Sequence, residues 1–229
     1  MTVYFDEIER EVSATLPPLD IAKLPKRSGA YRNFLKRAFD LTAILIGAPV
    51  VLPLVGVLAL VVARDGHNPF YRNTRVGKSG KSFKMLKLRT MVPDADCLLS
   101  KHLASNSAAR EEWAATQKLK DDPRITKFGK FLRKSSIDEL PQLWNVVTGD
   151  MSLVGPRPML PEQREMYPGL AYYFLRPGIT GLWQVSDRNK VQFAKRADFD
   201  REYDQKVSFT TDVHLLVKTF GVVLRGTGY

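Results

Sequence analysis

The feature that most constrains this chain is an apolar segment at residues 41–63, which holds 23 residues without an ionisable side chain. As a helix it would extend about 34 Å at about 1.5 Å per residue, enough to cross a bilayer core of about 30 Å. Pro49 and Pro53 lie near its middle, and each removes a backbone donor and disfavours a straight helix. The segment therefore predicts a membrane helix that is not straight.

Basic residues flank this segment on both sides. Six Lys and Arg residues lie between positions 23 and 37, and eight lie between positions 64 and 89. The positive-inside rule places both flanks in the cytoplasm, which a single straight crossing does not allow. A helix broken at Pro49 and Pro53 that dips into the membrane and returns fits both flanks. A transmembrane anchor with a tolerated kink and a buried core helix stay open as alternatives.

The composition indicates an anionic partner. The 229 residues include 35 Lys and Arg against 24 Asp and Glu, a formal charge of +11, which suits nucleic acid, lipid headgroups or a phosphorylated substrate. A single cysteine excludes an intramolecular disulfide and a cysteine-based zinc site, and three scattered histidines speak against a histidine-rich metal site. The chain contains no Walker loop, dinucleotide-binding glycine motif or serine-nucleophile elbow. We expect no nucleic-acid partner, because the basic residues accompany a membrane segment.

The remaining pattern predicts an α+β fold that is mostly helical. Residues 1–30 read as a flexible N-terminal arm, residues 31–65 as an interfacial helix followed by the re-entrant membrane helix, and residues 66–229 as a cytoplasmic domain. Within that domain we predict a β-hairpin at 70–76 and 83–89, helices at 94–119 and 136–147, and an amphipathic C-terminal helix at 211–225.

The adjacent carboxylates Asp138 and Glu139 are the strongest candidates for chemistry. Ser136 and Glu139 have the spacing of a capping box, so the pair could simply begin the helix at 136–147. Arg133 lies upstream and Arg157 lies downstream in a Gly-Pro-Arg-Pro turn. Backbone amides and guanidinium groups favour a phosphate, and two carboxylates beside it are suitable ligands for Mg²⁺. One carboxylate could also attack phosphorus as a nucleophile.

Several motifs occur in an order that identifies a family. The chain resembles the bacterial sugar transferases, the small monotopic phosphoglycosyl transferases, over about residues 31–229, and most of all the exopolysaccharide galactose-phosphate transferases. The matching stretches are 36–40 (KRAFD), 70–72 (FYR), 75–77 (RVG), 87–91 (KLRTM), 122–126 (DPRIT), 136–143 (SIDELPQL), 149–158 (GDMSLVGPRP) and 176–185 (RPGITGLWQV).

The resemblance implies roles for the candidate residues. Asp138 would attack the β-phosphate of a UDP-hexose, expel UMP and carry a sugar-phosphoryl group, which undecaprenyl phosphate would then accept. Mg²⁺ would bind at Asp138. Glu139 would help to bind the metal or would take part in proton transfer. Arg133 and Arg157 would lie close to the phosphates, as would Lys87 and Arg89. The resemblance also implies a catalytic domain on the cytoplasmic face of the bacterial inner membrane, in contact with its lipids.

Two departures from the family pattern affect local geometry. Leu52 stands before Pro53 where the family commonly has serine, and Asp187 stands where it commonly has glycine. We expect galactose as the transferred sugar, with glucose next, although no residue explains that choice; a homodimer stays open. A catalytically silent membrane scaffold is the alternative function, and a membrane-associated nucleic-acid-binding module is a further one.

Overall fold

The computed structural model describes residues 29–116, 119–186 and 193–224. The predicted arm at 1–30 and the departure at Asp187 therefore lie almost wholly outside the described residues. The helices are α1 (Lys36–Val62), α2 (Ala95–Ser105), α3 (Ser107–Thr116), α4 (Lys127–Lys134), α5 (Gln142–Thr148), α6 (Ala171–Phe174), α7 (Arg196–Lys206) and α8 (Phe209–Leu224). The strands are β1 (Phe70–Val76), β2 (Ser82–Leu88), β3 (Ser152–Val154) and β4 (Gly178–Thr180). The described chain is mostly helical with short strands, as the sequence predicted.

The apolar segment forms one long helix. A π-helical turn at Tyr31–Leu35 leads directly into α1, and the helical run Tyr31–Asp65 is long and apolar enough to cross a membrane. Only 11% of its most apolar window is buried inside the protein, which excludes the alternative of a buried core helix. The helix continues through Pro49 and Pro53. A re-entrant hairpin is therefore not evident in the helix itself and stays a prediction.

Both ends of α1 are fastened to the same body of the protein. Near its start, the buried Asp40 carboxylate accepts hydrogen bonds from Ser152 Oγ at 2.7 Å and from the Leu153 amide at 3.2 Å. Near its end, residues 58, 59 and 62 pack into a cluster with Leu88 and Leu132. Large apolar side chains between the two ends are exposed, namely Leu45, Ile46, Val50, Leu52, Leu54 and Val57.

The predicted β-hairpin is confirmed. Strands β1 and β2 pair antiparallel with Phe70 opposite Leu88 and Val76 opposite Ser82. The loop between them turns through Ser79 and Gly80, which both adopt positive φ. On β2, Phe83 and Met85 are buried on one face against Val146 and Met151. Leu88 is buried on the other face, against Ala59 and Leu132.

The helix predicted at 94–119 is two helices, α2 and α3. Asn106 separates them with extended backbone, and its Oδ1 accepts a hydrogen bond from the Ala109 amide at 3.0 Å. This side-chain acceptor satisfies one of the free amide groups at the start of α3 and competes with a continuous helix. The single-helix prediction was therefore wrong in this place.

The helix predicted at 136–147 is also interrupted. Residues Ile137–Glu139 form one 3-10 turn, and α5 begins only after Pro141. Pro141 lacks the amide hydrogen that a continuous helix would need. Ser136 adopts left-handed backbone with φ of 56° and makes no side-chain cap, so the predicted capping box is wrong. Trp144 of α5 is 63% exposed.

A second small sheet and the C-terminal helices complete the fold. Strands β3 and β4 pair in parallel, with Ser152 aligned to Gly178, and the sequence analysis predicted neither strand. An added Cβ at Gly178 would lie 2.1 Å from the Gly155 amide nitrogen, so the chains cross there only because both residues are glycine. Helix α8 confirms the predicted C-terminal helix, and Leu215 on it is buried with β3.

Candidate active site

Lys87 on β2 faces the Asp138–Glu139 pair. Its Nζ lies 2.6 Å from Glu139 Oε1 and 3.8 Å from Asp138 Oδ2. The position of this strand is set by Asn145 of α5, whose amide donates to the Lys84 carbonyl and accepts from the Leu86 amide, both at 2.9 Å. The structure therefore places Lys87 of β2 beside the 3-10 turn that carries Asp138 and Glu139, although Lys87 and Glu139 are 52 positions apart in sequence.

Asp138 is a buried carboxyl with compensating charges nearby. Its residue exposure is 6%, and this burial raises its pKa above the ordinary value. Lys87 and Arg133 oppose that rise, whereas the neighbouring Glu139 adds to it. A desolvated carboxylate beside a cation is available for attack on an electrophile, because few water molecules solvate it.

Arg133 lies close enough to Asp138 for the two charges to attract each other. Its Nε donates to Thr90 Oγ1 at 2.8 Å. Burial lowers its pKa, and the attraction of Asp138 works against that change. The hydrogen bond to Thr90 fixes one side of the guanidinium, so the remaining N–H groups can donate to an anionic ligand that lies beside the carboxylate pair.

Arg157 borders the same opening. A pocket beside the carboxylate pair is lined by Lys87, Glu139, Arg157 and Arg75, together with Met85, Gln142, Pro158, Gly178 and Ile179. Arg157 lies between Pro156 and Pro158 and directly follows the close crossing of Gly155 and Gly178. Five of the six predicted site residues thus lie around one location: Asp138, Glu139, Lys87, Arg133 and Arg157.

Arg89 is engaged elsewhere. Its guanidinium donates to both carboxylate oxygens of Asp65 at 2.7 Å and to the carbonyl groups of Val62 at 3.0 Å and Asn68 at 2.9 Å. These contacts hold the end of α1 to the β-hairpin. The contacts of Arg89 are therefore structural. Its position gives no support to the predicted contact with phosphate.

Arg75 and Gln142 are site residues that the sequence analysis did not single out. Arg75 lines the pocket from β1, and burial and the nearby Arg157 both lower its pKa. The sequence placed Arg75 in a strand, and only the pairing of Arg75 with Phe83 in the hairpin shows where it lies. Gln142 is 2% exposed at the start of α5.

The carboxylates fit a metal that substrate would help to bind. Within the described ranges, no group of three or more His, Cys, Asp or Glu residues is arranged to hold a metal ion. Mg²⁺ commonly takes only one or two protein carboxylates and completes its shell with water and substrate phosphates. Asp138 and Glu139 provide those two carboxylates, so the donor set suits Mg²⁺ bound together with a phosphorylated substrate.

Comparison with known proteins shows the family of this chain. The model of a family described as bacterial sugar transferase matches residues 31–226. The chain belongs to the bacterial sugar transferase family. The chain is therefore an enzyme. The matched range contains α1 and every residue of the site described above.

Relatives with assigned names give further detail. The chain is 50% identical over 198 residues to the UDP-galactose-lipid carrier transferase of Erwinia amylovora. This alignment covers 86% of the chain and 42% of that protein. It is 43% identical over 222 residues to the exopolysaccharide production protein ExoY of Sinorhizobium fredii, covering 94% and 98%. It is 46% identical over 207 residues to the undecaprenyl-phosphate galactose phosphotransferase of Salmonella typhimurium, covering 90% and 43%. This sugar transferase thus spans less than half of two of these relatives and nearly all of the third.

Proposed function

We propose that this sugar transferase moves a hexose 1-phosphate from a UDP-hexose to undecaprenyl phosphate, releasing UMP, as the first membrane step of exopolysaccharide synthesis. The observation that carries the proposal is the buried Asp138 carboxylate, held beside Lys87 and Glu139 at a pocket that Arg157 also lines. The names of the relatives support galactose first, while a glucose-1-phosphate transferase of Escherichia coli at 36% identity keeps glucose next.

In the proposed reaction Asp138 acts as the nucleophile. One of its carboxylate oxygens forms a bond to the β-phosphorus of the donor, and the bond from that phosphorus to the oxygen shared with UMP breaks. A phosphate oxygen of undecaprenyl phosphate then forms a bond to the same phosphorus, and the bond to Asp138 breaks. The two displacements balance without a proton donor, because both leaving groups depart as anions.

The cations around Asp138 have separate tasks in this reaction. Lys87 and Arg133 oppose the rise that burial causes in the pKa of Asp138 and so favour the charged carboxylate that would attack. Arg157, which lines the pocket beside Lys87 and Glu139, would stabilise the negative charge of the diphosphate. Asp138 and Glu139 would hold Mg²⁺, which when bound neutralises phosphate charge.

The packing of α1 supports a location on one face of the membrane. Ile44 and Leu58 both pack against the same body of the protein, and only 13 residues lie between them. Those residues extend about 20 Å as a helix, which is less than the bilayer core of about 30 Å. A straight crossing would therefore pull part of the packed domain into the hydrocarbon region. We infer a re-entrant helix that turns near Pro49 and Pro53 and returns to the cytoplasmic face of the inner membrane.

The experiment that tests the transfer is a UMP-release assay with detergent-solubilised protein, UDP-galactose, undecaprenyl phosphate and Mg²⁺. We expect release over many turnovers to require the lipid, and all release to be abolished by Asp138→Asn, which keeps the size of the side chain but removes its charge. Asp150→Asn on the exposed turn after α5 is the matched control and should leave release unchanged. Undiminished release by Asp138→Asn would exclude Asp138 as the nucleophile.

The covalent step has a separate test. With radiolabelled UDP-galactose and no lipid acceptor, the protein should retain about one labelled sugar-phosphoryl group, and later addition of undecaprenyl phosphate should remove it. A protein that releases UMP only when the lipid is present, and never retains label, would indicate direct transfer between the two substrates instead.

A further inference from the structure

A second pocket adjoins the active site on the far side of Arg157. Arg157 lines both pockets. The second pocket is otherwise lined by Arg196 and Asp200 of α7, by Trp183 in the turn after β4, by Tyr167 before α6 and by three further residues: Met159, Tyr172 and Phe193. The roles proposed above for Asp138, Glu139, Lys87 and Arg133 use none of these residues, so this pocket needs its own explanation.

The second pocket contains buried donors that have no acceptor among the described residues. Trp183 is 8% exposed, and its indole N–H has no hydrogen-bond partner among the residues that the structure describes. The same holds for the buried Nε of Arg196 and for the buried Nε of Arg75 in the first pocket. Burying a donor without an acceptor is costly, so three such donors at adjoining pockets indicate a ligand that supplies acceptors.

The charges indicate that this ligand is an anion. Burial lowers the pKa values of Arg196 and Arg75, and repulsion by Arg157 lowers both further, as Arg75 does for Arg196. Three guanidinium groups that repel one another in a partly buried region need an opposite charge. The nearby carboxyl of Asp200 is a poor counter-charge, because burial raises its pKa to about 7.

An aromatic surface gives the pocket a defined shape. The guanidinium carbon of Arg196 lies 4.1 Å from the centre of the Trp183 ring, and that of Arg157 lies 5.8 Å from it. Arg196 also lies 4.6 Å from the Phe193 ring. These contacts hold the guanidinium groups against flat rings, which preorganises their donors for a planar or tetrahedral anion.

We propose that the second pocket binds the nucleotide-side phosphate of the donor, the phosphate that leaves as part of UMP. This inference rests on the function proposed above and assigns Trp183, Arg196 and Arg75 to donor binding. Phosphate supplies only acceptors and negative charge, which matches the unpartnered donors and the cations.

The placement of the pockets favours the nucleotide over the lipid phosphate. Leu88, the neighbour of Lys87, packs with Ala59 of the apolar helix, so the carboxylate pair lies on the membrane side. No residue of α1 lines either of the two pockets described here. A lipid phosphate would reach Asp138 from the membrane side, while a soluble nucleotide can extend past Arg157 to Trp183.

The experiment measures UMP binding to the detergent-solubilised full chain by equilibrium dialysis, which requires no turnover. We expect Trp183→Phe, which keeps a ring but removes the indole N–H, to weaken UMP binding by about tenfold. Arg196→Gln should weaken it further. Arg201→Gln is the matched control, since Arg201 lies on the same helix with a side chain 57% exposed, and it should bind UMP as the unchanged protein does.

Further probes separate the possible outcomes. Uridine should bind much more weakly than UMP, and undecaprenyl phosphate should bind equally to all variants. Equal UMP binding by Trp183→Phe and the Arg201→Gln control would overturn the proposal, as would a selective loss of undecaprenyl phosphate binding in Trp183→Phe. Thermal unfolding of Arg196→Lys alongside Arg196→Gln shows whether a loss comes from misfolding. Because dialysis detects binding alone, a protein that binds UMP but transfers no sugar would refute the transfer reaction and leave this pocket assigned.

Discussion

Asp200 makes the stability of this protein depend on pH in an unusual direction. The carboxyl is 6% exposed and accepts one hydrogen bond from Tyr167 Oη at 2.8 Å. Burial raises its pKa from 3.8 to about 7. The folded protein therefore holds this proton more tightly than the unfolded chain, and stability is lost as the pH rises from about 4 towards 7.

The size of the effect follows from these two pKa values. At about 1.36 kcal/mol for each pH unit, the full loss is about 4 kcal/mol, of which about 2.5 kcal/mol falls between pH 5 and pH 8. Asp200→Asn keeps an oxygen that can accept from Tyr167 but does not titrate. We expect the variant to gain about 2.5 kcal/mol relative to the unchanged protein between pH 5 and pH 8, or about 5–10 °C in the unfolding midpoint.

Thermal unfolding in one detergent at the two pH values measures this gain. Asp198→Asn is the control, because Asp198 lies on the same helix with its side chain 69% exposed, and its effect should be the same at both pH values. An Asp200→Asn variant whose midpoint differs from that of the unchanged protein equally at pH 5 and pH 8 would refute the reasoning, since the carboxyl would then not titrate in this range.

Two further predictions concern structural contacts. Arg89→Lys should lower the free energy of unfolding by about 2 kcal/mol, because lysine cannot span the carbonyl groups and the carboxylate that the guanidinium joins at the end of α1. Thermal unfolding measures this loss. The KM for the UDP-hexose should not change, and a raised KM would indicate that Arg89 binds phosphate. Gly155→Ala should destabilise the fold by about 3 kcal/mol, because the added Cβ would lie 2.2 Å from the Arg176 carbonyl oxygen. Gly56→Ala is its control, because a Cβ added there would meet no atom within 4 Å. Equal unfolding midpoints for the two variants would contradict the predicted clash.

Local patterns in the sequence predicted those elements that depend on local interactions. The hairpin followed from two strand-like runs around a glycine-containing loop, and α8 followed from its apolar periodicity. The break at Pro141 was visible in the sequence but was outweighed by the capping-box spacing of Ser136 and Glu139. The strands β3 and β4 have three residues each and pair across 26 positions, so no local pattern marks them.

The candidate site was predictable where motifs carried it. Asp138 and Glu139 were identified as an adjacent acidic pair, and Lys87 was associated with them only by the family resemblance. Arg89 shows the limit, because a sequence does not reveal whether an arginine finds a phosphate or a carboxylate such as Asp65. Trp183 likewise gains its role only from tertiary packing, since Arg196 is brought to its ring by a separate helix.

The most direct test of the proposed transfer is UMP release from UDP-galactose in the presence of undecaprenyl phosphate and Mg²⁺, measured for the unchanged protein, for Asp138→Asn and after chelation of the metal with EDTA. The proposal predicts repeated release by the unchanged protein that falls to about one UMP per protein with the lipid omitted and disappears with the metal removed or with Asp138→Asn. Release from UDP-glucose alone would correct the sugar and keep the reaction. The absence of release with every UDP-sugar would contradict it and favour a catalytically silent membrane scaffold.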